Sequence, residues 1–140
     1  MPLAAAYLNA SLIESGLPEP VILTYSAETP PDHILIDIVE KKLDIAAFSC
    51  YVWNINIVKA VARRLKIVCP GCEIVLGGPE VSPVARTFMV ENTFADVVVS
   101  GEGEFVFPEL IRRLSDERKD MRGVPGITCR SGADVVSGAA

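Results

Sequence analysis

The sequence predicts a single α/β domain built on a parallel β-sheet, and two observations support this prediction. Apolar segments of strand length alternate along the 140 residues with longer segments whose apolar residues recur at helical spacing. Half of the residues are hydrophobic and 22% are charged, which is a globular composition. Because a chain of this length is close to the commonest domain size, residues 1–140 are expected to form one domain.

The elements are predicted to alternate between helix and strand from the start of the chain. Helices are predicted at residues 2–15, 34–39, 58–68, more weakly 84–91, and 107–114, from apolar residues three and four apart. Strands are predicted at 21–25, 44–50, 73–76 and 97–100, and a terminal hairpin at 126–130 and 135–136. Such an alternation implies a parallel sheet that is covered by helices on both faces.

Charge and hydropathy exclude several kinds of partner. The net charge of −5 and the absence of a basic stripe argue against nucleic acid. The longest apolar stretches are too short to cross a membrane, and Met1–Ala10 contains no basic residue of a secretory signal. We therefore expect a cytoplasmic protein without a membrane or nucleic-acid partner.

Three loops carry residues that a plain turn does not need, and all three follow predicted parallel strands. Right-handed crossovers place these loops at the carboxyl edge of the sheet, where such folds bind ligands. The loops read Phe48-Ser49-Cys50-Tyr51-Val52-Trp53-Asn54, Gly77-Gly78-Pro79-Glu80 and Gly101-Glu102-Gly103-Glu104. A simpler interpretation of the first is an aromatic lid on the core with Asn54 as a helix cap. The acidic third loop does not suit a phosphate, but it suits amide and hydroxyl donors, and no phosphate-binding glycine motif is present.

The cysteines allow two interpretations. Cys69-Pro70-Gly71-Cys72 has the spacing of a redox or metal motif, but it falls between a predicted helix and a predicted strand. The Pro-Gly pair is typical of a turn, so the structural interpretation is favoured over a dithiol redox domain. Cys50 and Cys129 lie in predicted strands, and no metal site is expected.

Taken in order, the three loops resemble the N-terminal cobalamin-binding domain of B12-dependent radical SAM proteins. Val124-Pro125-Gly126-Ile127 before the hairpin also matches, so the likeness covers nearly the whole chain. That family includes methyltransferases and oxidative cyclases of the magnesium-protoporphyrin ester type. The resemblance implies a flavodoxin-like or Rossmann-like fold, cobalamin as the cofactor, and a site at the carboxyl edge.

The resemblance also implies individual roles. Ser49 would hydrogen-bond the nucleotide tail of the corrin, while Gly77 and Gly78, followed by Pro79 and Glu80, would let the tail lie against the backbone. Gly101, Glu102 and Gly103 would line the other side of the tail. Tyr51, Val52 and Trp53 would lie nearest the corrin and its lower face.

The chain departs from the family pattern in two places. Many cobalamin domains use Asp-x-His-x-x-Gly to give cobalt an imidazole, but here Pro31 stands two residues before the only histidine, His33. We therefore expect no histidine ligand below cobalt. The first strand of the family fold is also missing before the first helix, and it would lie between the strands at 21–25 and 44–50.

No Cys-x3-Cys-x2-Cys motif occurs, so a 4Fe-4S cluster and S-adenosylmethionine would belong to a radical SAM domain elsewhere in a longer protein. The chain by itself is expected to bind cofactor without turnover, with that catalytic domain as its partner and a homodimer as one allowed assembly. The alternative is a flavodoxin-like interaction or regulatory module with a degenerate pocket. That alternative predicts a loop set that tolerates Gly78→Val.

Overall fold

The computed structural model describes residues 3–116 and 120–138, with backbone alone at residues 3 and 4. The helices are α1 (Leu3–Glu14), α2 (Pro31–Glu40), α3 (Ile55–Val68), α4 (Ala85–Glu91) and α5 (Gly103–Ser115), and a short 3-10 helix (Ser82–Val84) precedes α4. The strands are β1 (Ile45–Ser49), β2 (Glu73–Gly77), β3 (Val97–Val99), β4 (Ile127–Ser131) and β5 (Asp134–Ser137). Every predicted helix is found, with small shifts at the ends, and so is the hairpin; residue 2, where the first helix was predicted to begin, lies outside the described residues.

The strands form one mixed sheet in the order β1-β2-β3-β4-β5. β1, β2 and β3 are parallel, whereas the terminal hairpin adds β4 and β5 antiparallel to them. The fold class predicted from the sequence is therefore confirmed, with the hairpin as part of the same sheet.

Helices cover both faces of the sheet, as an apolar parallel sheet requires. One face packs on α1 and α5, and its core contains Leu12, Val75, Val97, Val99 and Leu110. The other face packs on α2, α3 and α4 around Ile38, Leu65, Ile74, Leu76 and Met89. Two basic residues of α3 contact aromatic rings on this face: Lys59 lies over the ring of Phe88, and Arg63 lies over the ring of Phe94.

The strand predicted at residues 21–25 is wrong. This segment has no regular secondary structure, and no backbone hydrogen bond joins it to another described segment. Leu23 and Tyr25 nonetheless pack against the core beside α2, and the Tyr25 hydroxyl donates to the Asp37 carboxylate over 2.5 Å. The apolar pattern is that of a strand, but a strand also needs a hydrogen-bonded neighbour, and no described strand bonds to this segment.

The outer edge of β1 is also unpaired, because no described strand lies beside it. Cys50 N–H donates to the Gly77 carbonyl and Glu73 N–H donates to the Asp44 carbonyl, so the even-numbered residues of β1 bond to β2. Ile45, Ala47 and Ser49 therefore direct their backbone groups away from β2, where the described chain has no strand. The described strands therefore leave the outer edge of β1 open.

Candidate functional site

The register of the parallel strands brings the three predicted loops to one edge. Ser49 pairs with Gly77, and Gly77 pairs with Val99, so β1, β2 and β3 end level with one another. The loops that follow therefore begin side by side at the carboxyl edge of the sheet. The structure confirms that the three segments singled out from the sequence are neighbours at the ends of these strands.

Hydrogen bonds tie the loops after β2 and β3 together. The Ser82 hydroxyl donates to the Gly78 carbonyl at 2.8 Å and lies 3.2 Å from the Val99 carbonyl. The Ser100 hydroxyl in turn lies 3.3 Å from the Ser82 carbonyl, and Ser100 N–H donates to the Gly126 carbonyl at 2.8 Å. The sequence reasoning gave Ser82 and Ser100 no role, because these side chains act on carbonyls that are close only in the folded chain.

The paired glycines after β2 have different structural reasons. A Cβ atom on Gly78 would lie 2.5 Å from the Cys50 carbonyl oxygen, and Gly78 has a φ of +103°. Glycine is therefore needed at 78 by the fold itself. A Cβ atom on Gly77 would meet its nearest heavy atom, the Val99 oxygen, at an ordinary 3.7 Å. The expectation that tolerance of Gly78→Val would separate a binding module from a degenerate one is therefore wrong, since the Cys50 contact forbids that substitution in either case.

A shallow strip of small residues is exposed on the α1/α5 face, close to the carboxyl edge. Side chains alternate along strands, so Ala47, Ser49 and Gly77 face the same side as the buried Val75 and Val99. Ala47 and Ser49 are exposed and Gly77 is half-buried. The helices that cover the rest of this face therefore leave these backbone and hydroxyl groups accessible at the strand ends, and the sequence analysis did not single out Ala47.

The loop after β1 presents an aromatic shelf. The rings of Tyr51 and Trp53 are stacked with centroids 4.6 Å apart and planes 3° from parallel. Val52 and Trp53 are 72% and 71% exposed, which is unusual for large apolar side chains on one short loop. This shelf lies beside Ser49, at the start of α3.

The remaining predicted residues border this edge. Pro79 and Glu80 are exposed, and Glu80 N–H donates to the Cys50 carbonyl at 3.2 Å. Gly101 has a φ of +82° with open space around it, Glu102 precedes the first turn of α5, and Gly103 lies against Leu8 of α1. Gly101, Glu102 and Gly103 therefore form a glycine-rich, acidic segment where α5 begins and packs on α1.

Cys50 is the buried ionisable residue next to Gly77 and Gly78. The pKa of the Cys50 thiol is raised to about 12, chiefly by burial; a hydrogen bond with the Gly77 backbone lowers it and the nearby Glu80 carboxylate raises it. No group of three or more potential metal ligands occurs among the described residues. His33 lies exposed in the first turn of α2.

Cys69 and Cys72 lie in a turn rather than at the start of a helix. Cys72 N–H donates to the Cys69 carbonyl at 3.0 Å, so the two residues close a turn between α3 and β2, at the opposite edge of the sheet. Burial raises the pKa of the Cys72 thiol, with a further contribution from Cys69. A redox-active cysteine needs a lowered pKa, so the turn interpretation is favoured.

One orphaned polar atom lies on the helix that borders the site. Oδ1 of Asn9 in α1 is buried and has no hydrogen-bond partner in the described chain. α1 packs on α5, on the sheet face that also carries the strip. Cobalamin has a flat ring and a tail with amide and hydroxyl groups, so the strip of small residues and the stacked Tyr51–Trp53 rings fit such a group.

The fold is an α/β domain whose parallel strands bring three unusual loops to one carboxyl edge. The family model described as a B12 binding domain matches residues 1–111. The chain belongs to this family, and the cofactor expected from the loop motifs, cobalamin, is thereby confirmed. The roles of individual residues stay predictions.

Two curated relatives are methyltransferases by name. A 2-(S-pantetheinyl)-carbapenam-3-carboxylate methyltransferase of Streptantibioticus cattleyicolor is 44% identical over 96 residues, which are 68% of this chain and 14% of that protein. The cobalamin-dependent radical SAM methyltransferase TokK of Streptomyces tokunonensis is 36% identical over 120 residues, which are 86% of this chain and 17% of that protein. The chain therefore spans less than a fifth of the length of these two relatives.

Among solved structures, the N-terminal domain of a hypothetical protein of Thermotoga maritima matches with a TM-score of 0.49 and 22% sequence identity. The match covers 81% of this chain and 82% of that chain.

Within the described residues, none of the helices combines the length and apolar character that crossing a membrane demands.

Proposed function

We propose that this chain binds cobalamin along the carboxyl edge of its sheet, as the cofactor module of a radical SAM methyltransferase. The observation that carries the proposal is the strip at Ala47, Ser49 and Gly77, where two exposed residues and a half-buried glycine lie beside the buried Val75 and Val99. A glycine at 77 is not required by the packing of the chain itself, so its missing side chain leaves space for a ligand. Family membership identifies that ligand as cobalamin.

In this arrangement Ser49 donates to the tail of the corrin, and the backbone at Gly77, Gly78 and Pro79 forms the floor beneath it. Glu80, Gly101, Glu102 and Gly103 border the tail, while Tyr51, Val52 and Trp53 face the lower side of the ring. The chain contains one histidine, which is exposed in α2, so we propose that no histidine of this chain ligates cobalt. When bound, cobalamin itself supplies the reactive metal.

The names of the two curated relatives favour methyl transfer over oxidative cyclisation as the reaction of the whole protein. The cluster and S-adenosylmethionine would be held by a separate radical SAM domain, which is the proposed partner of this chain. The chain alone then has no turnover, because nothing in its described residues activates the methyl acceptor.

The proposal is tested with hydroxocobalamin and the variant Gly77→Val. The wild-type chain is expected to retain the corrin on gel filtration and to show the visible spectrum of base-off cobalamin. Gly77→Val is expected to weaken binding at least about tenfold, or about 1.4 kcal/mol, because the new side chain occupies the strip. Its thermal stability should be unchanged or higher, since valine suits a strand better than glycine does.

Gly71→Val is the matched control. Gly71 lies in the turn at the opposite edge, and a Cβ atom there would meet nothing within 4 Å, so corrin binding should be unchanged. Folded wild-type protein that retains no corrin would overturn the proposal and favour the interaction module with a degenerate pocket. Equal affinity in Gly77→Val and wild type would refute the location of the site.

A further inference from the structure

Asn54 stands at the residue before α3, where asparagine ordinarily accepts a hydrogen bond from the first turn of the helix. Its side chain makes no such bond here. Instead, Oδ1 accepts from Tyr51 N–H at 2.7 Å, and Nδ2 donates to the Ser49 carbonyl at 2.8 Å. Both ends of the side-chain amide are therefore used within the loop and none within the helix.

These two bonds connect the parts of the loop that the proposed site uses. The Ser49 carbonyl belongs to the last residue of β1 and faces the open edge, where no described strand satisfies it. Tyr51 is the residue whose ring stacks on Trp53. The backbone adds bonds from Asn54 N–H and Ile55 N–H to the Tyr51 carbonyl, at 3.1 and 3.0 Å. Residues 49–54 are thus closed into one hydrogen-bonded turn with the Asn54 side chain at its centre.

We propose that Asn54 is a positioning residue, which holds the loop after β1 in the conformation that presents Ser49 and the Tyr51–Trp53 stack to the ligand. The geometry explains why an amide is needed: one atom must accept and the other must donate, at a fixed separation. A preformed shelf lowers the ordering cost of binding, because the loop is not fixed for the first time by the ligand. The effect on cobalamin affinity rests on the proposed function, whereas the effect on the loop does not.

Two substitutions separate loop geometry from helix stability. Asn54→Asp keeps the acceptor for Tyr51 N–H but loses the donor to the Ser49 carbonyl, and Asn54→Ser is too short to reach that carbonyl. Aspartate and serine are both good helix caps, so the midpoint of thermal unfolding should stay within about 3 °C of the wild-type value. The matched controls are Asn56→Asp and Asn56→Ser, because Asn56 is exposed in the first turn of α3 and makes no side-chain hydrogen bond in the described chain.

Trp53 is the only tryptophan, so its signals report on this loop alone. In both Asn54 variants, the near-ultraviolet circular dichroism of the Tyr51–Trp53 stack should be lost and the fluorescence anisotropy of Trp53 should fall. The dissociation constant for hydroxocobalamin should rise about tenfold. Neither Asn56 variant should change any of these readouts.

The outcomes distinguish the two proposals. If the wild type does not bind the corrin, the proposed function fails, while the dichroism and anisotropy still decide whether Asn54 shapes the loop. If the wild type binds and the Asn54 variants keep both the Trp53 signals and the affinity, the positioning role of Asn54 is refuted.

Discussion

At the scale of single residues, Gly77 and Gly78 show how adjacent, identical residues can serve different ends. The positive φ of Gly78 and the nearness of the Cys50 backbone are properties of the unliganded fold. Gly77 has neither a positive φ nor such a close contact, and it belongs to the strip with Ala47 and Ser49. The two glycines belong to one sequence motif. The fold itself requires glycine at 78 but not at 77, so a bound ligand can account for the glycine at 77.

Gly78→Ala is therefore expected to destabilise the chain by about 2–4 kcal/mol, because it adds a steric clash to a strained backbone. The measurement is the free energy of unfolding in urea. Gly101→Ala is the control, since Gly101 has a φ of +82° but open space around it, and it should lose only about 1 kcal/mol. Equal losses at the two positions would show that the Cys50 contact does not matter.

At the scale of elements, β1 differs from β2 in how its backbone is paired. β2 has a neighbour on each side, whereas β1 pairs on one side alone among the described strands. The burial of side chains follows the same pattern: Val75 of β2 is buried, while its partner Ala47 is exposed. An open edge of this kind is accessible to water and to another extended segment.

Amide hydrogen exchange should reveal this alternation. The amides of Ala46 and Phe48 face β2 and should be protected, while those of Ala47 and Ser49 should exchange at least about 100-fold faster. β2 is the internal control, because its successive amides are all paired with one neighbour or the other. Uniform protection along β1 in dilute protein would mean that another segment occupies the edge.

The loops are a second feature at this scale. Ser82 and Ser100 bond the loops after β2 and β3 to each other, and Asn54 closes the loop after β1 on itself. The carboxyl edge is thus held by side-chain bonds to carbonyls rather than by further strand pairing. These bonds allow the site to be preformed before a ligand arrives.

At the scale of the whole molecule, a site that borders three strands and two helices should couple binding to global stability. At a free hydroxocobalamin concentration of 100 times the dissociation constant, the folded state should gain about 2.7 kcal/mol. Thermal unfolding followed by circular dichroism in the far ultraviolet would measure this as a rise of roughly 10 °C. Gly77→Val at the same concentration should show a much smaller rise, and a wild-type midpoint that does not move would contradict binding to the folded chain.

The sequence alone determined the order of the helices, the three parallel strands and the hairpin, because periodicity and turn residues are local properties. It also determined that three unusual loops meet at one edge, since parallel strands have a common direction. The motifs in those loops predicted the family and its cofactor before any contact was known.

The tertiary structure decided what depends on neighbours. Residues 21–25 have the composition of a strand, but pairing requires a second strand beside them, and the described chain has none there. The different structural requirements at Gly77 and Gly78 and the exposure of Ala47 depend on distances between segments far apart in the chain. The hydrogen bonds of Asn54 depend on the conformation of its loop. Such distances follow from packing, which no local pattern in the sequence encodes.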